Sequence, residues 1–590
     1  MGESRYDRKK FDSCVEYYKK AVSSFKKKNV LVFFDNMDKK AFYSIAPLSR
    51  ALHDLKCDVC AIAIGKKRES LDALFDVWGT YEDLKKRVKN SKTSALKVFI
   101  DETKKKLPDF ESLFAKPDII LESKNGKWQG HLLLEQKDAW MQEHRVDELK
   151  QTASILWKEV YNIKPSETIG IGFLLIQEES MLGHPLDDYL DSYQINWAMA
   201  NECKASIVMS AYSSRNSQLL PSEKTSDLRA TLLGCEYDKD VDEQPFIAFK
   251  QLSKELNLNR LKPVDATFAT AGKGYPGKHR FGDAIGYPSL NKKTRWKTPG
   301  QMISKFDFYP QTKFESRDPQ TRVAFTETLP VDIFIETNLL DWADVRKRNQ
   351  RVKDIMDKCD VIYVKGKLKE KHVTNLEVGL VKKDGTRRWV RRSDTDVREK
   401  LNKEYLQRTG IRAGCMGNIP GGEAFTTPEY VKGTFVGDVV IAIDQSYPLS
   451  PKDPFVVECS GNKYKILTAP KDVLKKFNQR KKEAWDLLME VKKKKSLPEE
   501  IIKMKEDNFE NIGEFAINTN PKAKLCDYLI VNEKIAKMMH IALGSGYEDD
   551  RSTDYHIDIV FDAPRQKLDV YGIGKDNKEH WILKNGEFVG

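Results

Sequence analysis

Asn29-Val30-Leu31-Val32-Phe33-Phe34 is an unbroken apolar run, rich in β-branched and aromatic residues, and it reads as a strand buried inside a sheet. A helix is expected after it, near Ala41 to Leu55, and a second strand at Asp58 to Ile64. Strand, helix and strand in that order build parallel sheet. Further strands are expected near Lys97 to Ile100, Asp118 to Glu122, His131 to Glu135, Thr168 to Ile176 and Ala205 to Ala211. The fold class is therefore α/β, with an open α/β sheet domain predicted over residues 1–330. No Gly-x-Gly-x-x-Gly follows the first strand, so the layout by itself does not imply a nucleotide site.

Regular patterning breaks between Pro310 and Thr328, where Arg317-Asp318-Pro319 and Pro330 interrupt it. A carboxy-terminal α+β domain, residues 331–590, is expected beyond the break. It opens with a helix over Leu339 to Asp357, whose apolar positions are Trp342, Val345, Val352, Ile355 and Met356, and continues into the strand Asp360 to Val364.

Four blocks in this half carry acids and imidazoles in glycine turns or apolar runs instead of on charged faces. The first is Asn418-Ile419-Pro420-Gly421-Gly422-Glu423-Ala424-Phe425-Thr426-Thr427-Pro428. The second, Ile512-Gly513-Glu514-Phe515-Ala516-Ile517-Asn518-Thr519-Asn520-Pro521, sets a carboxylate ahead of an Asn-rich turn. The third, Met538-Met539-His540-Ile541-Ala542-Leu543-Gly544-Ser545-Gly546-Tyr547, ends in a turn where glycine permits close backbone approach. The last is Tyr555-His556-Ile557-Asp558-Ile559-Val560-Phe561, a strand whose two-residue period points His556 and Asp558 to one side. An isolated His-x-Asp is usually just a satisfied histidine beside a solvated aspartate. Five oxygen and imidazole donors in company are what a two-metal hydrolytic centre needs, and the lack of thiolate suits Zn, Co or Mn, with Mg also possible.

In this order the blocks resemble the thermophilic metallo-aminopeptidase family, the aminopeptidase T-like enzymes, over about residues 335–590. That family carries Pro-Gly-Gly-Glu-x-Phe-Thr-x-Pro, then Gly-Glu with a Thr-Asn-Pro turn, then His-Ile-Ala-x-Gly with a Tyr seven residues after the His, then His-x-Asp. The resemblance implies that Glu423, Glu514, His540, His556 and Asp558 bind two divalent ions and that Tyr547 is the catalytic phenol. Glu533, in Asn532-Glu533-Lys534-Ile535, falls where the family shows Asp-Glu-Lys and is a candidate ligand or proton carrier. Proton shuttling is left open between Glu514 and Glu533. The implied activity is hydrolysis of the amino-terminal peptide bond of short peptides, by a homodimer.

The chain departs from the family in a Lys- and Glu-rich insert, about Asp472 to Asn511, that patterns as helix through Val473, Phe477, Trp485, Leu488 and Met489. It is expected to be a solvated surface hairpin, with a lid or subunit contact as the alternative. The stretch between residues 100 and 330 is also longer than the family's amino-terminal domain requires.

Composition excludes other classes. The 590 residues are 40% hydrophobic and 32% charged, which describes a globular protein of more than one domain and not a disordered chain. No apolar run approaches the length of a membrane span and the start has no secretory core, so a cytoplasmic protein is expected. Nine scattered cysteines fit free thiols in a reducing compartment. The net charge of +12 comes from 100 basic against 88 acidic residues, and its lysine runs read as solvated faces with no nucleic-acid motif beside them, so nucleic acid is not an expected partner. Gly272-Lys273-Gly274-Tyr275-Pro276-Gly277-Lys278-His279 nearly matches a phosphate-binding loop, but His279 replaces the Ser or Thr that would hold magnesium. Two alternatives to the peptidase follow: a catalytically silent relative, or a nucleotide- or nucleic-acid-binding protein using Gly272 to His279 and the basic clusters.

Overall fold

The computed structural model describes residues 5–35, 37–63, 118–176, 185–212, 266–271, 322–369, 372–393, 415–443, 445–494, 499–546, 548, 550–551 and 553–589. The expected strand near Lys97 to Ile100, the loop Gly272 to His279 and Tyr547 lie outside these residues. Contacts divide the chain into two compact units. One is Met1–Thr294, Ile303–Ile335 and Val397–Met416; the other is Arg295–Met302, Glu336–Asp396 and Gly417–Gly590.

In the first unit the strand-helix-strand pattern forms as its sequence dictates. Asn29–Phe34 pairs in parallel with Asp58–Ala63, with Val30 opposite Val59, and the helix Lys39–Asp54 connects them. Asp38 caps that helix by accepting a hydrogen bond from the Ala41 amide at 3.1 Å. A preceding helix, Arg8–Ala21, buries Phe11, Cys14, Val15 and Tyr18, the spacing of a single helical face. The strands join a ten-stranded sheet in the order Cys415–Asn418, Arg322–Glu327, Ala266–Ala271, Thr168–Leu174, Ser206–Tyr212, Asp58–Ala63, Asn29–Phe34, Ile119–Lys124, Lys127–Gly130, Leu134–Glu135. The sheet is mixed, not uniformly parallel: Asp58–Ala63 runs antiparallel to Ser206–Tyr212, joining two parallel groups. A crossover helix fixes the direction only of the strands it links, so the sequence left that joint open. Only Leu134–Glu135 of the expected His131 to Glu135 strand is paired.

The second unit contains two antiparallel sheets. An eight-stranded sheet runs Lys463–Thr468, Phe455–Ser460, Tyr430–Gly437, His372–Gly379, Cys359–Leu368, Asp569–Gly574, Glu579–Lys584, Glu587–Phe588. A seven-stranded sheet runs Val390–Ser393, Glu423–Thr426, Ile512–Asn518, Met538–Gly544, His556–Asp562, Val440–Ala442, Ser446–Pro448. They share one core, to which the first sheet gives Ile362, Val364, Leu376, Val378 and Phe435 and the second gives Phe515, Ile517, Ile541, Ile557, Ile559 and Phe561. The helix Trp342–Lys358 adds Val352 and Met356 to that core.

The insert forms two helices, Lys471–Lys494 and Glu499–Asp507, and is not the solvated decoration its composition suggested. Val473, Phe477, Ala484, Leu488 and Ile502 are buried in the same core as the two sheets. Lys476, Lys482, Lys492 and Lys493 are exposed, whereas Lys505 is buried, and the apolar stripe was enough to bury the hairpin. Of the apolar positions named from sequence, Trp485 keeps substantial exposure and meets Phe509 edge-on.

Candidate metal centre

Register decides which side chains can meet. Glu423 lies opposite Asn518, Glu514 opposite Ala542, Ala516 opposite His540, Ala542 opposite Asp558 and Gly544 opposite His556. Residues facing each other across a ladder share a face, as do residues two apart along a strand. Glu423, Glu514, His540, His556 and Asp558 therefore project from one face of four consecutive strands. The alternate residues Ala424, Phe515, Ile517, Met539, Ile541, Leu543, Ile557, Ile559 and Phe561 line the other face and belong to the core. Between the five donors lie Ala516, Ala542 and Gly544, whose small side chains leave the space above the sheet open.

The five groups converge. His540 Nε2 lies 3.3 Å from Glu514 Oε1 and 3.6 Å from Glu423 Oε2. His556 Nε2 lies 3.4 Å from Glu514 Oε2 and 3.3 Å from Asp558 Oδ1. Two three-residue groups able to hold a cation result, Glu423–Glu514–His540 and Glu514–His556–Asp558, with Glu514 common to both. One Glu514 oxygen faces each group.

The outer contacts orient the imidazoles. His540 Nδ1 donates to Asn518 Oδ1 at 2.9 Å, and His556 Nδ1 donates to the Ser545 carbonyl at 2.7 Å. Both acceptors require the proton on Nδ1, which aims each Nε2 at the carboxylates. Glu423 Oε2 and Asp558 Oδ1 are buried and accept no hydrogen bond. A buried carboxylate oxygen without a donor is costly. A divalent cation in each group, between its carboxylate oxygens and its Nε2 atom, would satisfy all of them, so the donor set fits a pair of oxygen- and nitrogen-ligated ions.

Burial and charge set the protonation of the metal-free cluster. Burial opposes a charge on His540, but the bond and charge of Glu514, with Glu423 and Asp558 behind it, lift its pKa to about 9. His556 is likewise held protonated well above the usual range, Asp558 and Glu514 outweighing burial. Burial alone would raise Glu514 and Asp558, yet the imidazoles hold both below the ordinary carboxylate range. Glu533 goes the other way: burial, assisted by Asp558 and Glu423 and opposed by Lys534, pushes it up to about 8.

Lys534 is a part of the site that its sequence did not single out. Its side chain is 1% exposed, with Nζ 2.6 Å from Glu423 Oε1 and 3.1 Å from Glu533 Oε2. In a chain with 100 basic residues a lone lysine reads as surface, and only its place beside Glu533 in an apolar turn hinted otherwise. Asn518, orienting His540, was visible only as part of the Asn-rich turn. The turn carrying Lys534 is tied to the Asn-rich turn: the Asn520 amide donates to the Lys534 carbonyl at 2.9 Å, and Asn520 Nδ2 donates to the Gly421 carbonyl at 3.0 Å. Gly422, at φ +128°, is pressed so close to Asn520 that a Cβ would lie 2.6 Å from its side chain, which explains the glycine ahead of Glu423.

The connection between the His540 and His556 strands is clamped. Arg388, with 1% exposure, donates to Glu429 at 2.6 Å, Glu548 at 2.9 Å and Asp550 at 2.6 Å. From the insert, Lys505 pairs with Asp554 at 2.7 Å, both side chains buried. The insert thus contacts this connection and the core face of the sheet, on the side away from the five donors. His556, with a side chain 27% exposed, is the most open of the five.

No protein-family model matches the chain, and no curated protein matches it in sequence. Among solved structures it is similar to wild-type AmpT from Thermus thermophilus, with a TM-score of 0.38 and 14% identity over 75% of this chain and 99% of that one. Similarity of that degree does not establish a shared fold, and the site stands on its own geometry.

Proposed function

We propose that the chain is a metal-dependent aminopeptidase in which Glu423, Glu514, His540, His556 and Asp558 hold two divalent ions, Zn, Co or Mn before Mg. The observation that carries this reading is the sharing of Glu514, with one oxygen facing each three-residue group. When bound, such a pair of ions supplies Lewis acidity that polarises a scissile carbonyl and lowers the pKa of a water toward neutrality. Both Glu514 oxygens are engaged by imidazoles, which leaves Glu533, bonded to Lys534 and with its pKa pushed up to about 8, as the better group to carry a proton. Tyr547 is assigned the hydrogen bond to the developing oxyanion, a role a neutral phenol fits better than that of a base. His556 marks the solvent side, from which a peptide would enter. Restriction to the amino-terminal bond, short substrates and a homodimer come from the family resemblance.

The test is metal analysis and turnover on leucine p-nitroanilide after chelation and readdition of Zn, Co, Mn or Mg. Two ions per chain and restored hydrolysis are expected, with Glu514→Gln losing both. Two bound ions without turnover on a panel of amino-terminal residues would instead identify a catalytically silent relative. Light scattering on the same protein reads the oligomeric state.

A further inference from the structure

We propose that Lys534 makes the two cation positions unequal, weakening the Glu423–Glu514–His540 position so that the centre fills the Glu514–His556–Asp558 position first. The inference rests on the dinuclear reading above and adds to it an order of loading set by a residue that is not itself a ligand.

The geometry separates the two positions. Lys534 Nζ occupies Glu423 Oε1 at 2.6 Å, and Oε2 accepts no hydrogen bond, so Glu423 can offer a cation one oxygen only. The ammonium is also bonded to Glu533 Oε2 at 3.1 Å and is cut off from solvent, so it cannot swing away when a cation arrives. A divalent ion on Oε2 would share its carboxylate with a fixed positive charge, in surroundings where water does little to screen the repulsion. Among the described residues no lysine or arginine is paired with a carboxylate oxygen of Asp558, whose ion-pair neighbour is His556. Glu514 is common to both groups and each has one imidazole; Asp558 has a hydrogen bond with the Glu533 side chain, which is not a cation, so the difference in charge is a carboxylate already paired with an ammonium against one that is not. Access adds to it: His556 is partly exposed, whereas His540 and Glu423 are enclosed.

The experiment is a titration of the chelated full chain with Zn or Mn, read by calorimetry and by counting bound ions. Two events are expected in the wild type, with dissociation constants at least tenfold apart; Glu423→Gln removes the weaker and Asp558→Asn the tighter. In Lys534→Met, which keeps the length of the side chain without its charge, the weaker event should tighten at least tenfold toward the other. Imidazole NMR of the wild type gives an answer that needs no variant to fold: at one equivalent of Zn the His556 resonances shift ahead of those of His540. Two events of equal affinity, an unchanged or lost weak event in Lys534→Met, or His540 responding first would overturn the ordering and leave the dinuclear centre standing. Fewer than two ions bound at saturation would overturn both.

Discussion

At the scale of single residues, the centre is built from pairings that a cation would exchange for its own. Without metal, Glu514 and Asp558 are neutralised by protons on the imidazoles, while Glu423 is paired with Lys534, and the imidazole protons have a consequence for stability. The folded state lifts His540 from its ordinary value of 6.5 to about 9, so it binds this proton more tightly than the unfolded chain does. The resulting stabilisation is fully present below about pH 6.5 and is lost as the pH rises through about 9. In chelated protein, the stability advantage of the wild type over His540→Gln should therefore shrink across that window in urea titrations at fixed temperature. An advantage that grows with pH would mean that His540 is neutral in the cluster. Because ligation needs the neutral imidazole, metal binding at pH 7 should also release protons.

At the scale of elements, the site depends on one sheet having two different faces. The strand period of two places donors above and core below, and a slip of one residue in any of the four strands would bury its donors in the core. Gly544, at φ +100°, is needed where the His540 strand ends, because a Cβ there would lie 2.3 Å from the Tyr555 carbonyl. The hairpin insert supports the apolar face, with Phe477 against Phe455 and Tyr464. Truncating Phe477 to Ala should cost about 3–5 kcal/mol, the range for a large aromatic removed from a packed core, and lower the denaturant midpoint of the second unit. A change below about 1 kcal/mol, the size expected of an exposed position, would return the hairpin to the role of surface decoration.

At the scale of the whole molecule, the chain has two compact units, and the five donors and Lys534 all belong to the second. Among the described residues no helix is long and apolar enough to cross a membrane. Ions that bind only the folded centre stabilise it by mass action, by about 2.7 kcal/mol for one site at a hundred times its dissociation constant. Scanning calorimetry should accordingly show a chelator lowering the transition of the second unit while leaving that of the first in place. Equal shifts in both would mean that the units do not unfold independently, and no shift in either would contradict a built metal centre.

Local patterning was enough to determine the strand-helix-strand start, the strand carrying His556 and Asp558, and the candidate donors, because periodicity, glycine turns and apolar surroundings act over a few residues. The mixed direction of the large sheet, the burial of a lysine-rich hairpin and the place of Lys534 between Glu423 and Glu533 were decided by tertiary structure. Each depends on partners far away in the chain: a strand's direction on the neighbour it pairs with, a hairpin's burial on the core that receives its stripe, a lysine's charge on the carboxylates enclosed with it. Donor types can be read from residues in sequence, but which two groups share Glu514 follows from strand register, and register exists only once the sheet has formed.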